Sequence, residues 1–403
     1  MKSEMRLNII NADIVLPNEI IKNSCLAIED GVISEIDKNI SYGSVIDAKG
    51  AYLLPGMIDI HSDHIEQVIE PRAGSVMDIP FSLGEQEKQL INNGITTMYH
   101  SLAMWKAAVR AMRKKAAREE DFLTQIIKAV INTQNSSNLI THMLHIRFDI
   151  TNFEAVSRVM DMLSDGNISL LSFMDHTPGQ GQYRDLETIK AAIKANNPEL
   201  SDAEVDERLE QRMQVEKIPL ETLVEISEHA KNKGVSVASH DDDSIAKVDF
   251  VKNTLHASIS EFPVEIGVAR YASKAGMKTL GGAPNVLLGK SHSGNMSATE
   301  GILDGSISML CSDYYPSSML AAVFKLHRES KVPLYDCVNL VSSEPAKAVG
   351  IWETAGSIAE GKRADLLLVE ASEQYPKITT VITNGNVAST LNYSKKRGNL
   401  KDE

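Results

Sequence analysis

The chain has 403 residues, 43% of them hydrophobic and 24% charged, an ordinary globular composition with room for one large domain and a smaller appendage. A formal net charge of -13 disfavours nucleic acid and anionic membrane surfaces as partners, because the long-range field repels both. No apolar run is long enough to span a bilayer, and MKSEMRLNIINADIV lacks the segments of a signal peptide, so a cytoplasmic protein is expected. Cys25, Cys311 and Cys337 are too widely spaced for a disulfide framework or a zinc-thiolate site, which suits a reducing compartment.

The chain opens with short strands and turns. LNIINADIVL is followed by SCLAIEDGVISEID, with a hairpin signal at Asp30-Gly31, and then by SVIDAKGAYLLPG. The same texture returns in ADLLLVEAS and TTVITNGNVAST, where Asn384-Gly385 is again a hairpin turn. Neither end is large enough to bury a core alone. Residues 1 to 55 and 346 to 395 are therefore expected to pair into one small β-sandwich.

Residues 56 to 345 alternate apolar strand candidates with helical stretches, the pattern of a parallel α/β fold. The eight strands are GMIDIHSD, ITTMYHS, HMLHIRFD, SLLSFMDH, VSVASHDD, HASISEF, MKTLGGAP and SISMLCSD, which predict a (β/α)₈ TIM-like barrel. Between the fourth and fifth lies ANNPELSDAEVDERLEQRMQVEK, helical and highly charged, expected as a peripheral excursion or lid.

Ionisable residues fall at the C-terminal ends of these strands, the face where such barrels carry their active sites. They are His61 and Asp63, Asp149, Asp175 and His176, His240 and Asp241, and Asp313. Alternation places His61 and Asp63 on one face of the first strand, where both can bind one ion. His176 and His240 would complete a second site with Asp149 as the bridge, and Asp313 can both ligate an ion and accept the proton of an attacking water. Two divalent ions are expected, and mixed imidazole and carboxylate ligands suit zinc, manganese or iron. The competing reading of any single residue is structural, a hydrogen-bonded core His or a helix-capping Asp. Capping does not explain why so many strands end alike. Asp242 and Asp243 are expected as N-caps of the following helix, and His100, His142, His145 and His256 are left open.

Around this constellation lie segments suited to anions. Arg72 follows the first strand, and Arg147 stands two residues before Asp149 on the same strand face. HTPGQGQYRD supplies Gln180, Gln182 and Arg184 with Gly179 and Gly181, and GGAPN with GKSHSGN supplies Asn285, Lys290, Ser291, His292 and Asn295. Small residues let backbone amides approach phosphate oxygens, while the side chains add donors. The plainer reading is tight βα turns; their combination on one face points to a phosphate or phosphonate.

PGMIDIHSD, the His-ending later strands, the last Asp-ending strand and SSEPAKAVGIWETAGSIAEGKRADLLLV resemble the amidohydrolase superfamily over nearly the whole chain. HSDHIEQVIEPR, LHIRFD, MDHTPGQGQYRD, GAPNVLLGKSHSGN and SDYYPSSML resemble, more narrowly, its diphosphatase branch in the carbon–phosphorus lyase pathway of phosphonate metabolism. That resemblance implies hydrolysis of α-D-ribose 1-methylphosphonate 5-triphosphate to the 5-phosphate and diphosphate. It makes a small sugar phosphonate the partner, with other proteins of that pathway as candidates; a homodimer is left open. The chain departs from the common superfamily pattern in having His-x-Asp rather than His-x-His in the first strand and no evident carbamylated lysine, so a carboxylate must bridge. The family's bridge and histidines sit on the fourth, fifth and sixth strands, whereas Asp149, His176 and His240 end the third, fourth and fifth. The alternatives are a cyclic-amide or N-acyl hydrolase on the same fold, and a non-catalytic scaffold relative, which would have eroded ligands.

Overall fold

A computed structural model describes residues 6–37, 43–106, 120–133, 138–175, 177–181, 186–289, 295–372 and 375–393. Both chain ends contribute to one mixed sheet. From the N-terminal end come β1 (Arg6–Val15), β2 (Ile20–Glu29), β3 (Val32–Ile36), β4 (Ser44–Asp47) and β5 (Tyr52–Pro55). The middle supplies β6 (Met57–Ser62), β7 (Ile95–Met104), β8 (Thr141–Asp149), β9 (Leu170–Met174), β10 (Ser236–His240), β11 (Ile259–Glu261), β12 (Lys278–Gly282) and β13 (Met309–Cys311), and the C-terminal end β14 (Leu366–Glu370), β15 (Lys377–Thr383) and β16 (Asn386–Thr390).

The end sheet runs β16-β15-β14-β5-β1-β2-β3, with β4 pairing β1. Its two expected hairpins form as the sequence demands: Asp30 and Gly31 have φ of 49° and 85°, Asn384 and Gly385 47° and 75°. Two successive positive φ values make the turn whose twist matches a β-hairpin, and Asn, Asp and Gly tolerate them. Period-two alternation then splits the sheet's faces. Leu53, Leu366 and Leu368 join Ile9, Leu26 and Ile382 in the sheet's own core. Their neighbours Leu54, Leu367 and Val369 pack instead into a cluster with Leu90, Val323 and Phe324 on the helices around the barrel.

Strands β6 to β13 lie side by side in chain order, and every neighbouring pair is parallel. The predicted eight-stranded barrel is therefore the observed one. Its seam is drawn together just beyond the last strand: Asp313 N donates to His61 O at 3.0 Å and Asp63 N to Asp313 O at 2.9 Å. The charged insert forms helices Leu186–Asn196 and Asp202–Met213, the second opened by a Ser201–Glu204 capping box. Ile189, Ile193, Val205 and Leu209 give the pair a small core of its own.

One local expectation is corrected. The helix Ile245–Thr254 is capped by Ser244, whose side chain accepts from Lys247 N, not by Asp242 or Asp243. Asp242 is fully buried and accepts from Ser239 Oγ and Ser260 Oγ. Asp243 accepts from Gly181 N at 2.6 Å, so that amide serves the loop and is not presented to an anion. Among the described residues no helix is long and apolar enough to cross a membrane.

Candidate metal centre

Three barrel strands bring His61, His145 and Glu261 together. Among the described residues they are the group of His and carboxylate side chains able to hold a metal ion, one potential ligand atom from each lying within 4.8 Å of the others. All three are buried, Glu261 and His145 completely. Glu261 Oε1 lies 2.9 Å from His61 Nδ1 and 3.7 Å from His145 Nε2, while its Oε2 accepts from Ser172 Oγ at 2.7 Å. His145 Nδ1 lies 3.0 Å from Ile60 O and 2.9 Å from Ser101 Oγ. Bonding the carbonyl requires the proton on Nδ1, which leaves a lone pair on Nε2. That Nε2 is buried without a hydrogen-bond partner among the described residues and lies 3.7 Å from Glu261 Oε1.

The imidazoles there are in the form that can ligate. Burial, then the charge of Arg147, hold His61 well below the usual histidine range, and burial takes His145 down to about 3. Both rings are neutral near pH 7, so neither offers a charge to Glu261; a divalent ion would use the imidazole lone pairs and the carboxylate together. The residues fit such an ion.

Around this core stand several of the residues singled out from the sequence. The His240 ring is 5.4 Å from that of His61, and His240 is the register partner of Glu261 on the neighbouring strand. Asp313 is half-buried, and desolvation together with the nearby charge of Asp63 raises its carboxyl to about 7. Asp241 and Phe262 take φ of 53° and 54° immediately after β10 and β11, and Asp313 takes 58° two residues after β13. Left-handed backbone at non-glycine residues is costly, and bulky Phe262 in particular bears that cost beside this site. Arg147 Nη2 donates to His240 Nε2 at 3.0 Å, placing a cation within the group.

Other sequence candidates are placed differently. Asp149 is buried and accepts at Oδ1 from Thr151 N at 2.9 Å and Thr151 Oγ at 2.6 Å, closing the turn after β8. Asp175 is paired with Lys217 at 2.7 Å. Asn285 uses both ends of its amide on the chain itself: Nδ2 donates to Met296 O and Oδ1 accepts from Ala298 N. Arg72 and Gln180 are exposed, and Asn295 is half-buried. His176, Gln182, Arg184, Lys290, Ser291 and His292 lie outside the described residues. His100 and His142 form a separate buried stack on the outside of the barrel, with His100 Nε2 2.9 Å from His142 Nδ1 and His142 Nε2 3.3 Å from Glu87 Oε1.

A parallel barrel with a rim of histidines and carboxylates, flanked by a sheet from both chain ends, defines a class of metal-site hydrolase fold. The amidohydrolase family model matches residues 52–395, and the chain belongs to that family. It is 30% identical over 380 residues to the alpha-D-ribose 1-methylphosphonate 5-triphosphate diphosphatase of Escherichia coli (strain K12), an alignment covering 93% of this chain and 98% of that one. It is 23% identical over 431 residues to the imidazolonepropionase of Clostridium tetani (strain Massachusetts / E88), covering 93% and 92%. Solved structures that share its fold include the N-acetylglucosamine-6-phosphate deacetylase of Pasteurella multocida, with a TM-score of 0.64 at 13% identity and coverage of 95% and 99%. A D-hydantoinase also aligns with a TM-score of 0.64, at 16% identity and 95% coverage of each chain. The family and the diphosphatase relative make the chain a hydrolase.

Proposed function

We propose that the protein hydrolyses α-D-ribose 1-methylphosphonate 5-triphosphate to α-D-ribose 1-methylphosphonate 5-phosphate and diphosphate. The carrying observation is the 30% identity to the Escherichia coli diphosphatase across 98% of that protein's length. The likeness to hydantoinase and deacetylase structures, at 16% and 13% identity, speaks for the fold and does not select their amide substrates.

In this reading two divalent ions, zinc, manganese or iron, would be held by His61, Asp63, His240 and Asp313 from the sequence set, joined by His145 and Glu261. Glu261, whose Oε1 faces both His61 and His145, would hold one ion with them, and the task of bridging to a second ion stays with Asp149, whose Oδ1 accepts from Thr151. His176 stays in the proposed set as the residue after the fourth strand. Bound ions would polarise the phosphoryl oxygen and lower the pKa of a nucleophilic water. Asp313 would accept that water's proton, the task of a positioned general base. Arg147, with Arg72, Arg184 and Lys290, neutralises the phosphoryl chain, and Gln180, Gln182, Asn295, Ser291 and His292 supply directional donors. Asn285 would act indirectly, since its amide is spent on Met296 O and Ala298 N.

³¹P NMR of the manganese- or zinc-loaded protein with the ribose methylphosphonate triphosphate tests this. Diphosphate as the product, lost in Asp313→Asn, is expected. Release of orthophosphate alone would contradict attack at the α-phosphorus, and no turnover by metal-loaded protein would return the chain to a cyclic-amide or N-acyl hydrolase.

A further inference from the structure

Arg147 and His240 stand on β8 and β10, with β9 between them, yet the guanidinium crosses that strand to place Nη2 3.0 Å from His240 Nε2. The other ring nitrogen, Nδ1, lies 2.9 Å from Asp241 Oδ2. A guanidinium is always a donor, so the contact consumes the lone pair on Nε2. A metal ion bound at Nε2 needs that same lone pair. One pair of electrons cannot serve both, and a cation held against His240 also repels an ion approaching it.

The hold on Arg147 is incomplete. Its Nε is buried without a hydrogen-bond partner among the described residues, so the fork is not settled on a carboxylate. A phosphate or phosphonate offers a guanidinium two charge-assisted bonds, stronger than one bond to a neutral ring.

We propose that Arg147 blocks the second ion position at His240 until an anionic substrate draws the guanidinium away, so that the ion and the anion bind cooperatively. This rests on the two-ion, phosphoryl-substrate reading above. Linkage makes the effect reciprocal: the anion tightens the ion by the factor by which the ion tightens the anion. The first position, built on His61, His145 and Glu261, is outside this competition.

The full chain, stripped of metal by a chelator, is titrated with Mn²⁺ while free ion is counted by EPR, with and without methylphosphonate as the anion probe. For wild type we expect one tight ion and a weaker second that methylphosphonate strengthens. In Arg147→Met the second ion should tighten without the anion by about 10- to 150-fold, the worth of one hydrogen bond to a charged group, and the response to methylphosphonate should disappear. Arg147→Gln, neutral but polar, should behave the same. A metal-free Tm and circular dichroism spectrum like those of wild type show that the barrel is intact in each variant. Second-ion binding no tighter in either variant than in wild type, or the same methylphosphonate response in all three proteins, would overturn the proposal. If the second ion tightens in the variants while wild type leaves the ribose triphosphate uncleaved, the competition at His240 stands and the substrate assignment falls.

Discussion

Glu261→Gln separates the charge at the centre of the site from its shape. The side chain is fully buried, accepts from Ser172 Oγ at 2.7 Å and presents its other oxygen 2.9 Å from His61 Nδ1. Glutamine keeps the volume and one acceptor for Ser172 but removes the negative charge and offers a weaker ligand. Losing one charged interaction in a buried setting costs about 3 kcal/mol, which is roughly a 150-fold weaker ion. Where wild type at an ion concentration 1,000 times its Kd gains about 4 kcal/mol of stability from binding, the variant should gain only about 1 kcal/mol. The metal-free proteins should differ little, because a buried carboxylate beside two neutral imidazoles contributes little net stability without its ion. Calorimetric melts with and without Mn²⁺ or Zn²⁺, together with metal content by mass spectrometry, read both quantities. A variant that retains the wild-type metal content and the full metal-induced rise in Tm would refute the placement of Glu261 as a ligand.

Asp313→Asn should lower kcat by about 10²- to 10⁴-fold, the usual worth of a positioned general base, with KM moving far less; an equal loss in KM alone would assign it to binding. His100 gives a pH signature away from the metal site. Burial holds its ring neutral well below the ordinary value of 6.5, whereas the unfolded chain protonates there. Stability is therefore full above about pH 6.5 and declines below it, by up to about 1.4 kcal/mol per pH unit for one proton. Urea midpoints of His100→Gln should fall less steeply with acid than those of wild type, and identical slopes would show that another group sets the decline. Gly94→Ala tests the packing of barrel against end sheet. Gly94 has a φ of 83°, and an added Cβ would sit 2.8 Å from Leu367 Cδ1 and 3.0 Å from Ile378 Cδ1. Backbone strain and overpacking together predict a loss of about 2–5 kcal/mol in chemical denaturation; a neutral result would mean the interface yields freely.

The barrel was legible because its signals are local: an apolar run, a His or Asp where the run ends, and a helical stretch closing on glycine. The two hairpins were legible for the same reason, since Asp-Gly and Asn-Gly need only their own backbone to specify the turn. Depth within the barrel is different. The side chains meeting at one level are set by strand tilt and stagger, which no single strand encodes. Strand β8 is nine residues long and β11 three. Reading the site off strand ends therefore selects Asp149, the last residue of β8, whereas the residue meeting His61 and Glu261 is His145, four positions earlier. Alternation did carry a usable signal, since His145, Arg147 and Asp149 share one face of β8, but it could not say which of the three lies level with the neighbouring strands.

Glu261 was missed for a related reason. Its strand is only Ile259–Glu261, and in HASISEF the acid is followed by an aromatic and a proline, which reads as a strand running into a turn. Its significance appears only beside His240, its register partner, and across from His61. The departure of the first strand from His-x-His pointed the same way: a missing imidazole and no carbamylated lysine require a carboxylate elsewhere on the rim. The arrangement has a chemical consequence that joins the predictions. With Glu261 buried between two neutral histidines, Arg147 sets a cation on His240, the residue that in this reading a second ion would need. An anion entering such a site meets a guanidinium before it meets a completed pair of ions, so in this reading substrate charge takes part in assembling the centre that then acts on it.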